Sequence, residues 1–500
     1  MVSAPIDNQL WCQAFSTSEF IEEIRLASQA TDYTDNSNQA DYLANYLEDI
    51  GARSLLIENR YMDRHFIEEV GTFYSRCLSQ KRNYTTRIHA FSRDLDLVQF
   101  RGILQDAKAG GREEAERELE RDYLGFVVVR PLPSVPIGRT VLRTYASEDR
   151  KFYALADYTV HLTGLELKIR GLAFQQQDRG VAACATTAIW SALQRVCRHE
   201  GCRVPTPSQI TEEAVRHYLS DSRPLPASGL SIVQILDALR AFDFPGDLVY
   251  DGSYSAEELA IYVNIYLRSG IPVILALDLP EGGHAVTAVG FAKGKKKSFP
   301  PLNSFGAEML NGGFSKIYVH DDRFGPYCRA ELSVVDPQRD PQHLTQQPSR
   351  YLAIEIDGRP RGKVRGAISP LYPKLRTTAR EMYEAAIEIE PSLSQYIYGD
   401  LSVDVFFARS GEYQAELLDH ADLDEDVLAD FQIQVALSRY IGVTRWYVDG
   451  EPLADGLWDT TDRMRRETRA ADALLGMIVY ERAALPVFNK LRDNTGTLLW

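Results

Sequence analysis

Gly270-Ile271-Pro272-Val273-Ile274-Leu275-Ala276-Leu277 is where the chain changes its period. Upstream, apolar residues recur three and four apart. From Ile271 onward they run without a break, as a buried strand requires, and the one proline sits near the start, where a missing N–H is tolerated. Just before it, Ser255-Ala256-Glu257-Glu258 has the form of a capping box, a serine followed three residues later by a carboxylate. It predicts a helix that Gly270 ends. Further upstream, Ser231 opens a helix with Ile232, Ile235, Leu236 and Leu239 on one side. Thr206-Pro207-Ser208-Gln209 is another capping box, with Pro207 at the first helical position. Ala188, Ile189, Ala192, Leu193 and Val196 share the face of a helix that Gly201 is suited to end. Downstream of 271–277, residues 285–291, 316–320 and 350–356 read as further strands. Helices first and strands afterwards predict an α+β fold with an antiparallel sheet, not an alternating parallel one.

The flanks are less regular. Three regions are expected: 1–170, 171–357 and 358–500. In the first, 39–49 and 64–77 carry helical spacing, 112–121 reads as a charged, exposed helix, and 124–130 as a buried strand ended by Pro131 and Pro133. In the third, 401–408, 440–448 and 476–480 read as strands and 463–475 as a helix.

The chain has 500 residues, 45% of them hydrophobic, and a formal net charge of -15. That charge repels phosphate backbones and anionic lipid, so neither nucleic acid nor a membrane is an expected partner. Lys293-Gly294-Lys295-Lys296-Lys297 is short, lacks aromatics and reads as a solvated loop. No apolar run approaches the length of a membrane span, and the first residues lack the pattern of a secretory signal. Six cysteines spread over this length do not form the dense framework of a secreted mini-domain. A reducing cytoplasm is the expected setting, with thiols left free for chemistry.

One thiol stands out by position. The polar stretch Gln175-Gln176-Gln177-Asp178-Arg179-Gly180 leads through small residues to Cys184 at the start of the predicted helix. A thiol in a first helical turn sees unpaired N–H groups and the positive end of the dipole, and both favour the thiolate. Against this stands the ordinary fate of a free cysteine, which is burial. Gly282-Gly283-His284 places an imidazole at the mouth of a strand, where the glycines permit close approach. Ile317-Tyr318-Val319-His320-Asp321-Asp322 ends a strand in two carboxylates before Gly325-Pro326. Either aspartate is a candidate to hold the second ring nitrogen of the histidine; both are also ordinary turn residues. A glutamine of the run 175–177, with Gln177 the first choice, is a candidate amide donor to a developing oxyanion.

The ordered set Gln177, Cys184, Gly270-Ile271-Pro272, Gly283-His284 and Asp321 to Gly325 resembles the papain-like cysteine peptidases, over roughly residues 171–335. More narrowly it resembles the bacterial branch that includes the double-glycine leader peptidases. The resemblance implies a papain-like core with Cys184 as nucleophile, His284 as general base, Asp321 as orienter and Gln177 in the oxyanion hole. It implies cleavage of a peptide or isopeptide bond in a protein or peptide substrate through a thioester, with no metal or cofactor. The sequence departs from the pattern in two places. The residue six before the cysteine is Asp178, one step from Gln177. Ala183 and Ala185 flank the thiol where the leader peptidases carry Asp and Gly, which argues against a double-glycine substrate. An inactive peptide-binding module, or transglutaminase- or deamidase-type acyl transfer at the same triad, are the alternative readings.

Two metal readings compete. Cys197-Arg198-His199-Glu200-Gly201-Cys202 has zinc-ligand types but no second pair at ribbon spacing, only the distant Cys328. Asp455, Asp459 and Asp462 fall near one face of an assumed helix, although Asp459-Thr460-Thr461-Asp462 reads better as a helix-start cap.

Overall fold

The computed structural model describes residues 9–30, 37–75, 82–145, 147–177, 184–217, 229–292, 307–313, 316–336, 350–359, 362–420, 423–461 and 473–480. Helices combine with several antiparallel sheets, an arrangement compatible with α+β. The chain divides into two compact units. One comprises Met1–Phe242, Glu281–Val289 and Tyr318–Arg329; the other holds Asp243–Pro280, Gly290–Ile317 and Ala330–Trp500. Among the described residues, no helix is long and apolar enough to cross a membrane.

The first unit opens with a five-stranded antiparallel meander, Leu10–Ala14, Ser54–Tyr61, Thr85–Phe91, Tyr123–Val129 and Ile137–Leu142, in chain order. Every residue of Thr85–Phe91 and Tyr123–Val129 is buried, so these strands are covered on both faces. Only the second of them was legible as a strand, because Thr85-Thr86-Arg87-Ile88-His89 buries polar side chains that interrupt the apolar run. The spacing over 39–49 and 112–121 does form helices, Ser37–Asp49 and Arg112–Asp122; the latter buries only Ala115 and Leu119. That over 64–77 forms the short helix Arg64–Glu69, which continues as a wider turn over Val70–Tyr74.

A hairpin follows, Ala156–Leu162 with Leu165–Gly171, in strict buried–exposed alternation. Its two-residue turn, Thr163-Gly164, has positive φ at both positions, the geometry that matches strand twist. Phe174 then bridges to Thr140 at the edge of the meander. Helices Cys184–Glu200, Pro207–Ala214 and Ile232–Ala241 come next, the second with the capping box expected at Thr206, the third opened by Ser231 as expected and closed there by a capping box with Gln234. Gly201 ends the first in the left-handed region, at φ 73°. To this unit also belong most of strand Gly282–Ala292, the end of Lys316–Asp321 and the start of Gly325–Val335, adjacent in that order in their sheet.

In the second unit, strand Gly362–Pro370 pairs antiparallel with Gly246–Tyr250, Val273–Leu279 and Tyr351–Ile356. Helix Ala256–Arg268 carries the Ser255 capping box and ends at Gly270, where φ is 69°. A second sheet runs Glu308–Met309, Leu401–Arg409, Tyr440–Val448, Glu451–Asp459, Leu474–Val479, antiparallel except for its first, parallel pair. The expected helix over 463–475 gives way at its end to the strand Leu474–Val479; its body lies outside the described residues. Asp455 and Asp459 therefore sit on a strand and not on a helical face, and Asp462 lies outside the described residues. Asp455 is fully buried and pairs with Arg445 at 2.8 Å, while the hydroxyls of Tyr413 and Tyr480 donate to it. Its charge is already met. Asp459 accepts from the Thr461 N–H in a local turn.

Candidate active site

Cys184 is the first residue of helix Cys184–Glu200, a free and half-buried thiol. The helix behind it is buried on nearly every side as far as Cys197, which makes it a rigid mount. Asp178 and the small residues 181–183 lie outside the described residues.

His284 is the third residue of strand Gly282–Ala292 and is 9% exposed. A Cβ at Gly282 or Gly283 would meet no atom within 4 Å, so the strand mouth beside the ring is open. Nε2 of His284 lies 2.9 Å from Oδ1 of Asp321. That leaves Nδ1 for the Cys184 thiol, which is hydrogen-bonded to the ring. Asp322 stands further off, its Oδ1 3.8 Å from Nε2.

The electrostatics follow from burial and neighbours. Burial works to lower the pKa of His284. Hydrogen bonds to Asp321 and Cys184, with the charges of Asp321 and Asp322, outweigh it and push the imidazole up to about 10. Burial opposes ionisation of Asp321, but the bond to His284, its charge and the Arg323 guanidinium hold that carboxyl below its ordinary value. Arg323 contributes its main-chain N–H at 3.0 Å and its guanidinium at 3.4 Å. Asp322 is displaced upward, by burial first and then by the charge of Asp321. Of the two aspartates, the buried Asp321 is thus the one built to stay charged against the ring.

Three further side chains hold the two halves of the site together, and sequence reasoning assigned none of them a role. Thr287, fully buried one turn of strand past His284, donates to the Ala188 carbonyl at 2.9 Å, one helical turn in from Cys184. Ser191 donates to the Ala173 carbonyl at 2.6 Å and lies 3.0 Å from Nδ1 of His320, the residue before Asp321. With the serine proton so committed, the neutral ring is the donor of the second bond. The helix that Cys184 opens is therefore tied to the strand of His284 and to the strand of Asp321 at successive turns. A hydroxyl on an apolar helix face, as at Ser191, was the only available signal.

The aspartate turn is buttressed from helix Ser37–Asp49. Gln39 donates to the Asp322 carbonyl at 3.3 Å, and the Tyr42 hydroxyl to the Pro326 carbonyl at 2.9 Å. A Cβ on Gly325 would overlap the Tyr42 ring, so this close approach needs glycine.

Of the three glutamines, Gln176 is committed to the fold. Its Oε1 accepts from the Ile137 N–H at 3.2 Å, and its own carbonyl accepts from Arg130 at 3.0 Å. Gln175 is also buried, whereas Gln177 is half-buried at the end of the described segment that precedes the helix.

Among the described residues, neither of the two rival metal clusters forms. Cys197 is buried in the helix, and burial, then Cys202, pushes its thiol well up. Cys202 donates to the Cys197 carbonyl at 3.3 Å, and Cys328 is buried on strand Gly325–Val335, donating to the Gly325 carbonyl. Among the described residues one group has metal-ligating atoms close enough together: His284, Asp321 and Asp322.

What the arrangement offers chemically is a thiol, an imidazole and a buried carboxylate in series, at the start of a helix. No protein-family model and no curated protein matches the chain.

Proposed function

We propose that the chain is a cysteine hydrolase with a papain-like core, acting on peptide or isopeptide bonds. One observation carries this reading: the His284 ring is hydrogen-bonded to the Cys184 thiol while its Nε2 lies 2.9 Å from the buried Asp321. A structural cysteine has no need of an oriented imidazole, and a structural histidine has no need of a half-buried thiol at a helix start.

The chemistry follows. His284 takes the thiol proton and becomes an imidazolium, which Asp321 stabilises and holds in one tautomer. The Cys184 sulfur attacks the substrate carbonyl, forming a C–S bond, and the electron pair moves onto oxygen. Donors for that oxyanion are the Cys184 backbone N–H and, in this reading, the Gln177 amide. Collapse of the adduct breaks the C–N bond, and the imidazolium protonates the departing amine. Water, deprotonated by His284, then releases the acyl group from the thioester and restores the thiol.

The test is covalent labelling. A thiol-directed acylating or alkylating probe is expected to modify Cys184 in the native protein much faster than Cys12 or Cys202. Cys184→Ala is expected to lose both labelling and turnover while keeping its thermal unfolding midpoint. Equal reactivity of Cys184 and Cys202, or wild-type turnover by Cys184→Ala, overturns the reading.

A further inference from the structure

We propose that His284, Asp321 and Asp322 form a binding site for a divalent transition-metal ion of the zinc class, and that the bound ion switches the site off. Metal binding stands on the geometry alone; the inhibitory consequence rests on the function proposed above.

The ligand atoms are already gathered. Nε2 of His284 and a carboxylate oxygen of each aspartate lie within 4.8 Å of one another, with the nitrogen 2.9 Å from Asp321 and 3.8 Å from Asp322. Around a tetrahedral zinc, donor atoms stand roughly 3.3 Å apart, between those two spacings. One nitrogen and two carboxylate oxygens suit zinc, cobalt or manganese; calcium and magnesium favour oxygen alone. Two carboxylates also balance the charge of a divalent ion.

A second observation points to the same place. Oδ1 of Asp322 is buried and accepts no hydrogen bond from the described residues, and the whole residue is 7% exposed. Buried carboxylate oxygens are normally satisfied, and one that is not calls for an ion or an equivalent partner. This oxygen faces the histidine nitrogen. Asp321, which the catalytic reading needs, does not explain why a second carboxylate should be buried beside it. Arg323 does not block the site. Its main-chain N–H and Nε donate to Asp321 Oδ1 at 3.0 and 3.4 Å, and its Nη2 to Oδ2 at 3.4 Å; the main-chain bond leaves Oδ1 a second lone pair for the metal, and the guanidinium, on a side chain 33% exposed, can shift onto Oδ2.

The consequence is set by which nitrogen is taken. When the ion binds, the imidazolium gives up its Nε2 proton to solvent, and the N–metal bond takes its place. The proton that remains is on Nδ1, the nitrogen facing Cys184. Such a ring has no lone pair with which to accept a proton from the thiol or from the deacylating water. Turnover stops although the metal never touches the sulfur.

Zinc retained by the full chain after dialysis at micromolar free metal, counted by elemental analysis, tests the binding. About one zinc per chain is expected, in wild type and in Cys184→Ala alike. Asp322→Ala is expected to weaken it at least tenfold, and Asp322→Asn, which keeps the side-chain volume, to do so with an unchanged unfolding midpoint. Cobalt in the same site is expected to lack the near-ultraviolet sulfur-to-metal band. Turnover of p-nitrophenyl acetate by the metal-free wild type is expected to fall at least tenfold with zinc and to return with EDTA. Absence of stoichiometric zinc, its loss in Cys184→Ala, a sulfur-to-cobalt band, or full retention by both Asp322 variants overturns the site. Undiminished turnover with zinc bound overturns the switch. If the metal-free protein shows no turnover at Cys184, the function fails instead, and zinc binding by Cys184→Ala still decides the site.

Discussion

Each nitrogen of the His284 ring has its own partner, and the two partners do different work. Nδ1 is left for the Cys184 thiol, and Nε2 faces a carboxylate that, against the effect of burial, the ring itself and Arg323 keep charged. Removing that charge while keeping the shape separates catalysis from folding. Asp321→Asn is expected to lower kcat/KM, or the rate of Cys184 acylation, by about 10²–10⁴-fold, because an amide stabilises neither the imidazolium nor its tautomer. The measurement is the second-order rate constant, read from the slope of the labelling rate at sub-saturating probe in excess over protein, and a change of under twofold would remove Asp321 from the mechanism. The choice between the neighbouring aspartates is made by strand alternation. His320 points into the helix side, towards Ser191, so Asp321 faces the other way, towards the ring, and Asp322 follows after the strand has ended.

At the scale of elements, the site depends on how a helix and two strands are joined. Thr287 and Ala188 make one joint. Thr287→Val keeps the volume and deletes the donor, at a cost of about 1 kcal/mol in stability. It is expected to slow Cys184 acylation several-fold more than that cost explains, with Thr287→Ser restoring the rate. Equal rates in the valine variant and wild type would show that the joint does not set the geometry. The approach to the helix is held differently. Arg130 is 2% exposed and donates to the carbonyls of Val135 and Gln176, with Glu69 at 3.4 Å. Its guanidinium ties the strand end, the buried turn and the glutamine segment into one piece. Arg130→Met strips the cation from Glu69 and is expected to cost about 3–5 kcal/mol, read as a drop in the denaturation midpoint. A loss below about 1 kcal/mol would mean that the segment is held by the Phe174–Thr140 bridge alone.

At the scale of the whole molecule, the first unit buries three histidines in neutral form. Burial, the largest influence on each, pulls His65 and His89 down to about 4 and His320 to about 3. Their folded values lie below the unfolded one, so below about pH 6.5 the unfolded chain binds protons that the folded chain refuses. Stability from these groups is complete above that pH and is lost as pH falls towards 4, on the order of 2–3 kcal/mol for each. His284, whose folded value is raised, contributes stability that is complete below about pH 6.5 and is lost as pH rises towards 10, a window above the one in which the three neutral rings act. A marked fall in the urea midpoint is therefore expected between pH 7 and pH 5, and His89→Gln should flatten it. A midpoint that does not move with pH would show that these rings are hydrated and not sealed.

The amino-acid sequence by itself determined the helix starts at Thr206, Ser231 and Ser255, the helix ends at Gly201 and Gly270, and the strands around His284 and Asp321. These signals act within one turn or one strand: a cap satisfies N–H groups three residues away, and a glycine relieves its own φ. The hairpin about Thr163-Gly164 obeys the same kind of local rule, with strict alternation along both strands, although the sequence reading did not single it out. Only the tertiary structure decided that Gln176 serves the edge of the meander, that Asp455 answers Arg445 and not a metal, and that Thr287 and Ser191 clamp the helix. It also decided that Asp321 stands closer than Asp322 to an imidazole 37 positions earlier in the chain. Such pairings depend on the register of strands brought together from distant segments, and no local pattern of residues encodes a register it does not itself contact.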